Sequence, residues 1–140
     1  MNGSGNSKEQ GGPVLGTAPM TTMLPVRDLA RAQRFYTETL GLVALGARPD
    51  GKFVFRCGNG ALLALFPRDD AVQARYTAAS FGVDDIRGAI HALESRGVTF
   101  HDYDLPGLRT VDHVCVLGGE QAAWFDDPDG NILCIHQDAR

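Results

Sequence analysis

Four side chains capable of metal ligation or proton transfer fall in two short pairs in the C-terminal third of the 140-residue chain, His113 with Cys115 and Cys134 with His136. Residues two apart on an extended strand share a face, so each pair can present an imidazole and a thiol together. If the two strands met, the set would be Cys₂His₂, a zinc-like shell, although zinc ligands are usually spaced differently. The alternative is two buried thiols and two partly exposed imidazoles. Cys134 and His136 also raise a nucleophile–base pair. Their Cα atoms would lie roughly 6–7 Å apart on one strand, so a direct hydrogen bond needs favourable rotamers. His136 alone is a candidate acid/base or ligand contact, because imidazole titrates near neutrality. No acid is evident to pair with it, which favours a ligand contact at a rim. His91 lies beside the inner face of a helical pattern, and alternation in the stretch Thr99-Phe100-His101-Asp102 suggests a surface position for His101; neither is given a role. Asp126, Asp127 and Asp129 crowd like metal ligands but surround a turn, where Asp serves backbone hydrogen bonding, and they are read as structural. The three cysteines, Cys57, Cys115 and Cys134, are odd in number and sit among apolar residues. That pattern suits reduced, mostly buried thiols and argues against a disulfide framework.

The elements that must position these groups repeat along the chain. Val26-Arg27-Asp28-Leu29 opens one segment and Val83-Asp84-Asp85-Ile86 a second. In the first, apolar or small residues at Leu29, Ala32, Phe35, Tyr36 and Leu40 mark one helix face, with Asp28 as N-cap and Gly41 as stop. In the second, Ile86, Ala89, Ile90 and Leu93 follow Asp84 or Asp85 and end at Gly97. Strands are predicted over 21–26, 42–45, 53–57, 61–66, 76–83, 98–103, 122–125 and 131–136. Asn59-Gly60 and Asp129-Gly130 supply the tight turns between the last two strands of each half. The order is thus β-α-β-β-β twice, an α+β fold of two paired modules. Residues 104–121 fit no strand cleanly, apart from a possible one over 111–117, and form a candidate lid.

The length suits one domain with a real core. A hydrophobic fraction of 44% and a formal charge of -4 describe a mildly acidic globule. No basic stripe points to nucleic acid, and no apolar run approaches a membrane span. Residues 1–18, rich in Gly, Ser, Asn and Gln without an apolar core, read as a disordered leader and not a signal peptide, which suggests a cytoplasmic protein. The ordered domain is expected over 19–140, with one module at 19–70 and the other at 74–138.

The stretches LPVRDLARAQRFYTETLGL and AAWFDDPDGNILCIHQ resemble the opening and closing motifs of the vicinal oxygen chelate superfamily. That group includes glyoxalase I, extradiol dioxygenases, fosfomycin-resistance enzymes and bleomycin-resistance binding proteins. The resemblance covers about residues 20–137, and the Asp-Pro-Asp-Gly-Asn turn is its most specific part. It implies two βαβββ modules forming an open, curved mixed sheet around a cavity, and a homodimer that in some relatives exchanges modules. It also implies four metal-ligand positions, which here fall on Thr21, Ala64, Ala78 and Cys134. Alanine has no donor atom, a threonine hydroxyl is a poor ligand alone, and one cysteine does not hold Mg²⁺, Mn²⁺ or Fe²⁺. The neighbouring residues Thr22, Leu63, Leu65, Thr77, Ala79, Leu133 and Ile135 are no better. No metal and no other cofactor is therefore expected.

Alternation from those positions puts Thr21, Met23, Leu62, Ala64, Phe66, Ala78, Ser80, Ile132, Cys134 and His136 on the concave side. Trp124 and Tyr103 are placed at its border with their facing left open. Such a lining suits an apolar or aromatic small molecule oriented by a few hydrogen bonds; the alternative is a filled core with no cavity. Two functions are carried forward. One is a metal-independent binding protein of the bleomycin-resistance type that sequesters or carries such a compound. The other is a lyase, isomerase or dioxygenase with a relocated metal site or a metal-free acid/base site at His136. The mildly negative charge gives little support to a strongly cationic drug as ligand.

Overall fold

A computed structural model describes residues 14–139 of the chain. Residues 1–13, most of the expected leader, and Arg140 lie outside the described residues. The first module runs β1 (Thr21–Val26), α1 (Leu29–Arg34), a π-helical turn (Phe35–Thr39), β2 (Val43–Ala47), β3 (Phe53–Arg56) and β4 (Leu62–Pro67). The second runs β5 (Thr77–Gly82), α2 (Ile86–Glu94), a small hairpin of β6 (Asp104–Leu105) and β7 (Leu108–Arg109), then β8 (Cys115–Leu117), β9 (Glu120–Asp126) and β10 (Ile132–Gln137). Each module builds a four-stranded mixed sheet in equivalent order, β1-β4-β3-β2 and β5-β10-β9-β8, and the two sheets share no strand pairing.

Local chemistry explains most of these boundaries. Asp28 and Asp85 accept from the backbone N–H groups of Arg31 and Gly88 and cap the two helices, each cap being worth about 1 kcal/mol. The first helix widens in its last turn, where Leu40 N–H reaches Phe35 O at 3.0 Å, and it stops at Gly41 with φ 77°. The Gly58–Gly60 turn holds Asn59 at φ 56°, left-handed backbone that Asn tolerates. The expected strand over 98–103 does not form. Val98 and Phe100 do bury their side chains, but the backbone makes only one bridge, Phe100 to Phe125, and one further bond, His101 N–H to Trp124 O. The two segments divide one edge: Cys115–Leu117 pairs with β9 over Glu120–Ala122 and serves as the second module's counterpart of β2, which leaves 98–103 the Trp124–Phe125 end alone.

One apolar core joins the modules. Leu24, Val26, Phe55, Leu63 and Leu65 of the first sheet share it with Ala123, Phe125, Leu133 and Ile135 of the second, together with Ile86 and Ile90 of α2. The face of each sheet expected to be concave is the one opposite the side chains that form this core. At the module boundary, the Asp127-Pro128-Asp129-Gly130-Asn131 turn docks on the β1–α1 junction. Asp127 and Asn131 are the buried polar residues among those described. Asp127 accepts from the Tyr36 hydroxyl at 2.7 Å, from Asn131 Nδ2 at 2.8 Å, and from the backbone of Asp129 and Asn131. Asn131 Nδ2 also donates to Pro25 O at 3.1 Å, while Asp129 accepts from Arg27 N–H at 2.9 Å and Arg31 at 3.3 Å. Asp127 and Asp129 thus serve the turn, as its setting suggested, and they also form the clasp between modules.

Candidate functional site

Strand register sets what each concave face presents. On the second sheet, Ser80, Cys134 and Trp124 lie side by side across β5, β10 and β9, with Gly82, His136 and Ala122 in the next equivalent row. Cys115 continues that second row onto β8. Ser80 Oγ and His136 Nδ1 are hydrogen-bonded at 2.6 Å, and His136 Nε2 lies 3.8 Å from the exposed Asp138 carboxylate. A Cβ on Gly82 would sit 3.3 Å from His136 Nε2, so the lack of a side chain there leaves the imidazole its place. The ring borders a polar cavity of about 360 Å³ that Asp84, Gln137 and Asp138 also line. Cys134 is buried, and burial pushes its thiol pKa up, with the Ser80 hydroxyl acting in the opposite direction.

The aromatic part of the face is built by the segment that failed to become a strand. Trp124 donates from Nε1 to Thr77 Oγ1 at 3.0 Å. Tyr103 meets it edge to face with ring centroids 5.6 Å apart, and His101 lies 5.9 Å beyond Tyr103. His101 Nε2 is 2.8 Å from Asp126 Oδ1. The three rings form a ladder bounded by Thr77 at one end and Asp126 at the other. Desolvation, then the charge of Asp126, raises the Tyr103 pKa. His101 thus lies in this ladder, and with its side chain 37% exposed it also keeps the surface position that alternation suggested. Asp126 and His101 were not assigned to this face because the register of 100–101 against β9 is non-local, and Thr77 because its bond to Trp124 spans 47 residues; the i, i+2 spacing of His101 and Tyr103 was a signal in the sequence.

On the first sheet, Thr21, Leu62 and Arg56 form one row and Met23, Ala64 and Val54 the next. Met23 is 47% exposed and Ala64 fully buried; Thr21, Leu62 and Phe66 are half-buried. Arg56 is an exposed cation on this face that the sequence reading did not single out. Ala78 sits at the irregularity between β5 and β10 and packs against the core cluster. The expected set is therefore divided between two sheets, with Ser80, Trp124, Cys134 and His136 brought together on the second.

The two His–Cys pairs do not converge. His113 hydrogen-bonds Asp102 at 2.9 Å, contacts Glu94 of α2 at 3.3 Å and stacks on Phe100, which places it on the helix side. Among the described residues no three His, Cys, Asp or Glu side chains gather so as to hold a metal ion. The donor set at Thr21, Ala64, Ala78 and Cys134 does not fit a divalent cation, since two of the four side chains lack a donor atom. No helix among the described residues is long and apolar enough to cross a membrane.

The fold has clear relatives. The Bacillus subtilis (strain 168) protein YurT is 29% identical over 133 residues, covering 84% of this chain and 97% of its own. A glyoxalase/bleomycin resistance protein/dioxygenase superfamily member from Sphaerobacter thermophilus superposes with a TM-score of 0.71 at 25% identity, covering 89% of this chain and all of that one. TnmS3, an antibiotic binding protein from Streptomyces sp. CB03234, superposes with a TM-score of 0.67 at 22% identity, covering 91% of this chain and 100% of its own. With the family model matching residues 19–135, the chain belongs to the Glyoxalase/Bleomycin resistance protein/Dioxygenase superfamily.

Proposed function

We propose that this protein is a metal-independent small-molecule binding protein of the glyoxalase/bleomycin-resistance type, which sequesters or carries an apolar or aromatic compound. The observation that carries this reading is the aromatic ladder of Trp124, Tyr103 and His101 beside the Ser80–His136 hydrogen bond, on a sheet whose two family ligand positions hold an alanine, Ala78, and a single cysteine, Cys134. Edge-to-face rings offer a flat ligand an apolar wall and quadrupole contacts worth about 0.5–1.5 kcal/mol per pair. Ser80 and His136 supply the few oriented polar atoms that such sites use. The same fold serves antibiotic binding in TnmS3. The working unit is proposed to be a homodimer, in which a second copy covers the exposed parts of these faces.

A second reading draws on the 2.6 Å Ser80–His136 pair. There His136 acts as acid/base in a metal-free lyase or isomerase, taking a proton from a substrate carbon while Ser80 holds the ring's tautomer.

Trp124 is the single tryptophan of the chain, so its fluorescence reports this face alone. Titration with fused-ring aromatic compounds should give saturable quenching that EDTA leaves unchanged and Trp124→Phe removes. Quenching that appears only with added divalent metal would overturn metal independence, and none across the panel would overturn the aromatic ligand. Turnover lost in His136→Ala with the fold intact would select the second reading.

A further inference from the structure

We propose a second small-molecule site, for an amphiphilic carboxylate, in the groove between the modules on the helix side of the sheets. A cavity of about 280 Å³ opens there, separate from the concave faces. Leu40 and Leu42 form its first-module wall, and Phe81, Val83 and Ile135 its sheet wall. Its third wall is α2, which presents Ala89 and Ala92 where larger side chains would fill the space. A solvent-open groove with apolar walls of this size would take a hydrocarbon chain out of water.

Arg96 is the one charged residue among those lining the groove. It donates from Nη1 to Thr39 O at 3.0 Å, which ties the end of the first helix to the end of the second and holds the guanidinium over Gly41. Arg96 takes part in none of the ion pairs among the described residues, and no carboxylate lines the groove. Among the described residues, four of the five guanidinium N–H donors remain for a planar anion, whose preferred geometry is bidentate. A cation without a counter-ion at the mouth of an apolar groove is complementary to a carboxylate carrying an alkyl or alicyclic body. The charge complementarity selects an anionic occupant over a neutral or cationic one.

The test is isothermal titration of the full-length protein with decanoate, decanol and decylamine, which share a tail and differ in the head group. Decanoate should bind once per chain, at least about tenfold tighter than either analogue, since a charge-assisted hydrogen bond discriminates on that scale. Arg96→Gln should bring decanoate down to the level of decanol, Arg96→Lys should restore part of the difference, and Ala89→Phe should abolish binding. Thermal melts of each variant report folding, and Trp124 quenching by the aromatic panel should be unchanged, because that face is separate. Equal affinity for the three heads, or binding indifferent to Ala89→Phe, overturns the site. So does a dimer in sedimentation that Ala89→Phe dissociates while decanoate fails to bind, which would make a second copy the occupant.

Discussion

Replacing Tyr36 with Phe removes one oxygen from the clasp between modules and nothing else. Tyr36 is 0% exposed and Asp127 4% exposed, and the hydroxyl donates to Asp127 Oδ2 at 2.7 Å. The ring keeps its contacts with Phe35 and Phe55 in the variant, so the cost is that of a hydrogen bond to a buried carboxylate, about 2 kcal/mol. For a domain of this size that lowers the melting temperature by roughly 6–10 °C. A pH series separates this bond from generic packing. Desolvation first, and then the Asp127 charge, raise the Tyr36 pKa far above its ordinary value of 10.0. Below about pH 10 both folded and unfolded states keep the proton and the stabilisation is complete; above it only the unfolded state releases the proton. Wild-type stability therefore gains a downward slope of about 1.4 kcal/mol per pH unit that Tyr36→Phe lacks. Urea unfolding should show a gap of about 2 kcal/mol near neutral pH that closes to about zero near pH 11.5. Other titrating groups are common to both proteins and cancel in the difference. A gap below about 0.5 kcal/mol, or one that stays constant between about pH 8 and 11, would refute the role assigned to this bond.

Three further outcomes are expected. Gly88→Ala places a Cβ 2.5 Å from Asp85 Oδ2, so the N-cap must swing away; the usual gain of roughly 1 kcal/mol for Gly→Ala in a helix should be offset by loss of the cap, and a clear rise in melting temperature would contradict this. Gly82→Ala forces the His136 ring to yield by a few tenths of an ångström. Its imidazole ¹⁵N shifts should change while urea stability moves by less than about 1 kcal/mol, and unaltered shifts would refute the close approach. Cys134, buried and with its thiol pKa raised, should react with iodoacetamide at least about tenfold more slowly in the folded protein than in urea. Equal rates by mass spectrometry would show that the thiol is accessible.

Much of the architecture was legible because it depends on neighbours a few residues apart. The caps at Asp28 and Asp85, the Asn59-Gly60 turn and strand β1 all follow from propensity and alternation within a single segment. That Ser80, Cys134 and His136 share one sheet face follows from strand alternation along β5 and β10, once the two strands pair. The strand expected over 98–103 failed on a question that alternation cannot answer, namely which segment occupies the free edge of β9. The ladder depended on that same outcome, because His101 and Tyr103 reach Trp124 only through the pairing at Phe100.

The sequence by itself determined the repeated βαβββ order, the family, and the chemical poverty of the four expected ligand positions, because these are matters of residue type and short-range spacing. Tertiary structure decided what residue types leave open. His113 turned to α2 and away from Cys134, Ser80 met His136, and the Asp-Pro-Asp-Gly-Asn turn became a clasp on Tyr36, a partner 91 residues away from Asp127. Those contacts depend on how two modules share one core, and a hydrogen bond between distant segments leaves no periodic trace in the chain that makes it.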